Sequence, residues 1–159
     1  MSLERGLQEA YASMAGLSVS DPTREEKTIR VGTHYVRSWS LRDMPNIQIL
    51  YLRLPDGSPS GRGHDVYERQ SLAKLYNKEI DSITSTDGLA VYTLRDLKEL
   101  IAFILYVRKP NDVRMLDHKA AYTIGEEDPE HDDHSDHIVS AKLVHRVVTG
   151  EKIEARVHA

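Results

Sequence analysis

A chain of 159 residues, 40% hydrophobic and 29% charged, has the length and balance of one folded domain with a single core. It contains no cysteine, which excludes disulfides, thiolate nucleophiles and cysteine-ligated zinc. Its formal charge of −4 comes from 25 acidic and 21 basic side chains, and seven of the acids fall within residues 126–137, so the remainder is slightly basic.

Near the N-terminus, Leu3, Leu7, Ala10, Tyr11 and Met14 recur at helical spacing and predict an amphipathic helix. Ser2 is its expected N-cap and Gly16 its stop. A helix this short is marginal alone, so the stripe is expected to lie on apolar surface. Glu4, Arg5 and Glu9 interrupt any apolar run, which argues against a signal peptide.

From Thr28 to Leu41 the period changes to two, with Ile29, Val31, Tyr35, Trp39 and Leu41 on one face and Arg37 intruding. A short break at Arg42–Pro45 leads to a second strand, apolar on both sides from Ile47 to Leu52. The short connection predicts antiparallel pairing, and the doubly apolar pattern predicts a central position.

Residues 54–64 (LPDGSPSGRGH) read as a loop, and their glycines match neither the dinucleotide nor the P-loop pattern. Leu72, Leu75, Tyr76 and Ile80 suggest a helix beginning near Asp65 or Ser71, and Leu89–Tyr92 a short strand. Between them, Ser82–Gly88 reads as a turn rich in side-chain-to-backbone hydrogen bonds. Thr93 and Asp96 then form a capping box for a helix whose core stripe is Leu97, Leu100, Ile101, Ile104 and Leu105; Pro110 ends it. The apolar run Leu100–Val107 is too short to span a bilayer.

After the acidic segment, Val139, Ala141, Leu143, His145 and Val147 alternate with Ser140, Lys142, Val144, Arg146 and Val148, and Ile153, Ala155 and Val157 with Lys152, Glu154, Arg156 and His158. With Thr149-Gly150 between them, the two runs predict a C-terminal β-hairpin with Gly150 at positive φ. The order α-β-β-α-β-α, loop, β-β indicates an α+β fold, an antiparallel or mixed sheet with helices mainly on one face. A single domain over residues 1–159 is expected, with residues 125–137 as an acidic-histidine loop.

That loop carries the main functional signal. Its seven carboxylates repel one another unless a cation, a basic partner or protonated histidines offset them. Glu130, His131, Asp133, His134 and His137 are the candidate metal ligands, since imidazole with carboxylate suits a divalent cation such as zinc or manganese. His118 or His145 could approach from elsewhere. The segment matches neither an EF-hand nor HExxH.

Other candidates are weaker. His34 suits a surface position, and His64-Asp65 could form an orienting pair only if neighbours on a turn faced each other. Arg53, Arg62 and Arg69 surround one loop, but no aromatic-basic motif accompanies them, so nucleic acid is not expected as a partner. No catalytic constellation is visible. The leading expectation is a non-enzymatic structural or assembly subunit, such as a virion or tail component. Its eight tyrosines, against one Phe and one Trp, suit contact surfaces. Its partners would be other protein subunits, in a homo-oligomer or hetero-assembly, with no membrane. The protein would be cytoplasmic, or made in the cytoplasm and assembled into a particle. It would need no cofactor, or at most a divalent cation such as zinc or manganese. The alternative is a metal-binding protein or metal-dependent hydrolase centred on the acidic-histidine segment.

Overall fold

The computed structural model describes residues 3–17, 24–125 and 133–159. Its contacts divide into two compact units, residues 1–52 and 53–159. Helices and antiparallel sheets give the expected α+β class.

The first unit contains α1 (Leu3–Met14), β1 (Arg24–Val31), β2 (His34–Leu41) and β3 (Gln48–Tyr51), the strands forming one antiparallel sheet in the order β1-β2-β3. The long alternating run is therefore two strands. Gly32 opens a two-residue turn with φ +59, and Val31 pairs with His34. This corrects the expected placement of the Ile47–Leu52 strand: β2 is central, and β3 is an edge whose side chains are mostly half-buried.

Trp39 and Leu41 occupy the end of β2 away from that turn, and with Ala12 of α1 they form the buried cluster of this unit. α1 buries Gln8 and Ala12, and Ala12 packs in the cluster with Trp39. The Tyr51 hydroxyl donates to the Glu4 carbonyl at 3.4 Å, and Gln8 Nε2 donates to Glu26 Oε1 at 3.4 Å. The expectation that the apolar stripe faces the core is thus reversed. Leu3 is 95% exposed and Met14 81%, with Leu7 and Tyr11 also exposed. Ser2, the expected cap, lies outside the described residues; Gly16 follows the helix at φ +77, as expected of a stop.

In the second unit, a 3-10 turn (Asp65–Tyr67) precedes α2 (Leu72–Tyr76), β4 (Ser82–Thr84), β5 (Val91–Thr93), α3 (Leu94–Arg108), β6 (Asp112–Arg114), α4 (Ser135–Gly150) and β7 (Arg156–His158). α2 and α3 both pack on α4. Of the predicted Ser82–Gly88 turn, Ser82–Thr84 is strand β4; it pairs antiparallel with β5 across the remainder, where Ser85 Oγ donates to Asp87 Oδ1 at 2.7 Å and accepts from Ala90 N at 3.0 Å. The capping box forms, with Asp96 N donating to Thr93 Oγ1 and Thr93 N to Asp96 Oδ2. Lys109, at φ 45, closes α3 just before Pro110. Leu97 and Leu100 are buried, while Ile101, Ile104 and Leu105 are half-buried.

The predicted C-terminal hairpin does not form. Its first strand and turn are α4, and Gly150 is helical without positive φ. The apolar residues at 139, 143 and 147 satisfy a period-two alternation and also a helical i, i+4, i+8 series. Ile138 and Val148 break the alternation and are buried with them in the helix. A strand pair does end the chain, but β7 pairs parallel with β6. Among the described residues, no helix is long and apolar enough to cross a membrane.

Two substitutions test this packing by denaturant unfolding. Leu100→Ala should cost about 2–5 kcal/mol through lost transfer energy and a cavity. Gly150→Ala, which meets nothing within 4 Å, should be neutral or stabilise by up to about 1 kcal/mol as a helical residue. Marked destabilisation at position 150 would contradict the helix.

Candidate cation site

The glycine-rich loop and the N-terminus of α4 are fastened together by short-range polar bonds. Ser135 Oγ donates to the Ser58 carbonyl at 2.7 Å, and Ser135 N to the Pro59 carbonyl at 3.2 Å. Gly57 N donates to Asp136 Oδ2 at 2.9 Å. A Cβ on residue 57 would stand 2.6 Å from Asp136 Oδ1, so only glycine permits this approach. Gly63 is fixed by both conformation and space: its φ is +72, and a Cβ would lie 2.6 Å from the Gln70 carbonyl oxygen. Its N–H donates to the Gly57 carbonyl at 2.7 Å, closing the loop on itself.

This fastening brings Asp56, in the loop, to His134, the N-cap of α4. His134 Nε2 lies 3.4 Å from Asp56 Oδ1, and His134 Nδ1 lies 3.7 Å from Asp136 Oδ2. One ligand atom from each of Asp56, His134 and Asp136 falls within 4.8 Å of the others. His64 flanks the group, its Nε2 3.7 Å from the same Asp56 oxygen. Asp56 is largely exposed, so the group opens to solvent on that side.

The hydrogen bonds assign the His134 tautomer. Asp136 N donates to Nδ1 at 3.2 Å, so the neutral ring carries its proton on Nε2, toward Asp56. Asp136 is the electrostatically uncomfortable member. Burial pushes its carboxyl above the usual carboxylate range, against the Gly57 N–H bond and the nearby His134, which favour ionisation. Its Oδ1 is buried without a hydrogen-bond partner.

Of the expected ligands among the described residues, His134 alone enters this group. Asp133 and His137 pair with each other instead, Nδ1 to Oδ1 at 2.8 Å, one turn apart. The His137 bond, then the His134 N–H, holds the Asp133 carboxyl below its usual range. Glu130 and His131 lie outside the described residues. His118 and His145 stack on one another. Sequence reasoning missed Asp56 and did not single out Asp136. Asp136 had a signal, as the one segment carboxylate next to a serine able to start a helix; Asp56, 78 residues before His134, had none.

The remaining polar candidates have local partners. His64 turns to Asp56 while its neighbour Asp65 pairs with Arg69, so the two do not orient each other. Arg53 bonds Asp87 at 3.0 Å, and Arg62 donates to the Gly125 carbonyl at 2.7 Å. No protein-family model, curated protein or solved structure matches the chain.

The raised Asp136 carboxyl gives a signed pH dependence. A carboxyl whose folded pKa is raised favours the fold when protonated, and that contribution is lost as pH rises through the folded value. Asp136→Asn cannot ionise and should escape this loss. Denaturant titration should find the variant gaining stability relative to the native chain as pH rises from about pH 4 toward neutrality. An unchanged difference across that range would mean that Asp136 is not desolvated.

Proposed function

We propose that the second unit binds a divalent cation between the glycine-rich loop and α4, with Asp56, His134 and Asp136 as its protein ligands. The observation that carries this reading is the convergence of the three ligand atoms within 4.8 Å. The buried, unpartnered Asp136 Oδ1 supports it. Two carboxylates and one imidazole suit zinc or manganese. Three protein donors, one of them the exposed Asp56, leave coordination positions for water, as an ion acting on a substrate requires. Binding has a definite internal cost. If His134 ligates through Nε2, its proton moves to Nδ1 and the ring stops capping Asp136 N–H. A lost cap costs about 0.5–2 kcal/mol. Ion coordination must exceed that.

A second reading, a subunit of a larger assembly such as a virion or tail component, is favoured by a different observation. The exposed stripe Leu3, Leu7, Tyr11 and Met14 on α1 is a contiguous apolar helix face without cover among the described residues. Further exposed apolar side chains, Phe103, Tyr106 and Val107, lie on α3. In that reading the partners are other protein subunits and the cation fixes loop geometry.

Size-exclusion chromatography with light scattering, with and without chelator, followed by metal analysis and calorimetric titration with zinc or manganese, separates these readings. The cation reading expects one ion per chain. It also expects Asp56→Asn and His134→Ala to lose binding while remaining folded, and a gain of about 2.7 kcal/mol in stability when free ion is 100-fold above Kd. Absence of binding, or unchanged binding in both variants, overturns it. A metal-free oligomer would leave the assembly reading in its place.

A further inference from the structure

Between β6 and Gly125, residues 115–125 run without helix or strand and are tied down at a few points. Met115 N donates to the His158 carbonyl at 2.9 Å, Tyr122 Oη to Asn77 Oδ1 at 3.0 Å, and Gly125 N to the Ser60 carbonyl at 2.9 Å. In the middle, His118 lies flat on His145 of α4, ring centroids 3.9 Å apart and planes within 10° of parallel. Lys142 Nζ donates to the His118 carbonyl at 3.0 Å, a second tie to α4.

Such a stack tolerates neutral rings and resists charge. His118 Nδ1 is buried without a hydrogen-bond partner, so a proton placed there has nothing to receive it. The charges acting on the ring come from both sides of the contact: Lys119 and Asp117 from the strap, Lys142 and His145 from α4. Asp117 is the one carboxylate among them, against two lysines. A single positive charge is tolerated against the π face of the neutral partner ring. A second places two cations about 4 Å apart with no net compensation, a strongly repulsive separation even with solvent screening.

We propose that the His118–His145 stack is an acid-released latch, whose double protonation detaches the 115–125 strap from α4 and frees the chain leading into the acidic-histidine segment. The electrostatics agree in sign. Burial first, then His145 and the lysines, hold His118 below the ordinary histidine value, with Asp117 opposing. A histidine so depressed stabilises the fold above its unfolded value of about 6.5, and the contribution is lost as pH falls through the folded value. The latch stands independently of the cation site, because neither ring belongs to that cluster.

Hydrogen–deuterium exchange on the full chain tests it. On acidification from about pH 7.5 to about pH 5, after correction for intrinsic rates, the amides of Met115 and Gly125, which carry the strap's backbone hydrogen bonds, should lose protection by about tenfold relative to those of α3. His145→Phe keeps an aromatic face but cannot become the second cation, so its strap should stay protected at both pH values. Unchanged protection in the native chain, or the same acid step in His145→Phe, overturns the latch. Should that variant fail to fold, the ring signals of the native protein decide. His118 must titrate below the ordinary histidine value, and titration at that value contradicts the proposal.

Discussion

The bond from Gly57 N–H to the Asp136 carboxylate joins two stretches 79 residues apart, and the organisation of the candidate site depends on it. Without it, the glycine-rich loop would have no fixed relation to α4, and Asp56 no fixed relation to His134. Ser135 reinforces the join through both its hydroxyl and its N–H. Each of these groups is one that a helix N-terminus or a tight loop leaves without an internal partner, so fastening one to the other satisfies both. The site is a consequence of closing those hydrogen bonds.

The same join explains why a carboxylate is buried there at all. Near the N-terminus of α4 the helix dipole favours a negative charge, and the Gly57 N–H supports it. Burial opposes both and prevails, raising the carboxyl. Nothing else on α4 needs this arrangement for packing, since Ile138, Val139, Ala141, Leu143, Val147 and Val148 already supply its buried face. A strained carboxylate beside an imidazole and a second carboxylate is a feature that structure alone does not require.

Much of the second unit was legible in the sequence because its signals were local. Thr93 and Asp96 announced α3, Pro110 its end, and Ser85 with Asp87 their turn. What failed was ambiguous in period or long in range. In α4, apolar residues four apart also lie at even spacing, and Thr149-Gly150 after them reads as a hairpin turn; the adjacent pairs Ile138-Val139 and Val147-Val148 hold the contrary evidence. In the first unit, the turn at Gly32-Thr33 sits within an unbroken alternation, so one long strand was read where two pair with each other. The α1 stripe was found correctly and oriented wrongly, because the sheet takes the Gln8–Ala12 side. The candidate site was half legible. His134 belonged to a visible cluster, but Asp56 reaches it only through a fold that places a loop on a helix terminus.

The central claim is that His134 stands between Asp56 and Asp136 as a ligand-ready ring. Long-range proton–nitrogen NMR of the histidine side chains tests it most directly, recorded in chelator and again with one equivalent of zinc. The account predicts that His134 carries its proton on Nε2 in chelator, with Nδ1 accepting from Asp136, and that zinc moves the proton to Nδ1 as Nε2 takes the ion. A ring protonated at Nδ1 in chelator, or one that zinc leaves unchanged, would contradict it.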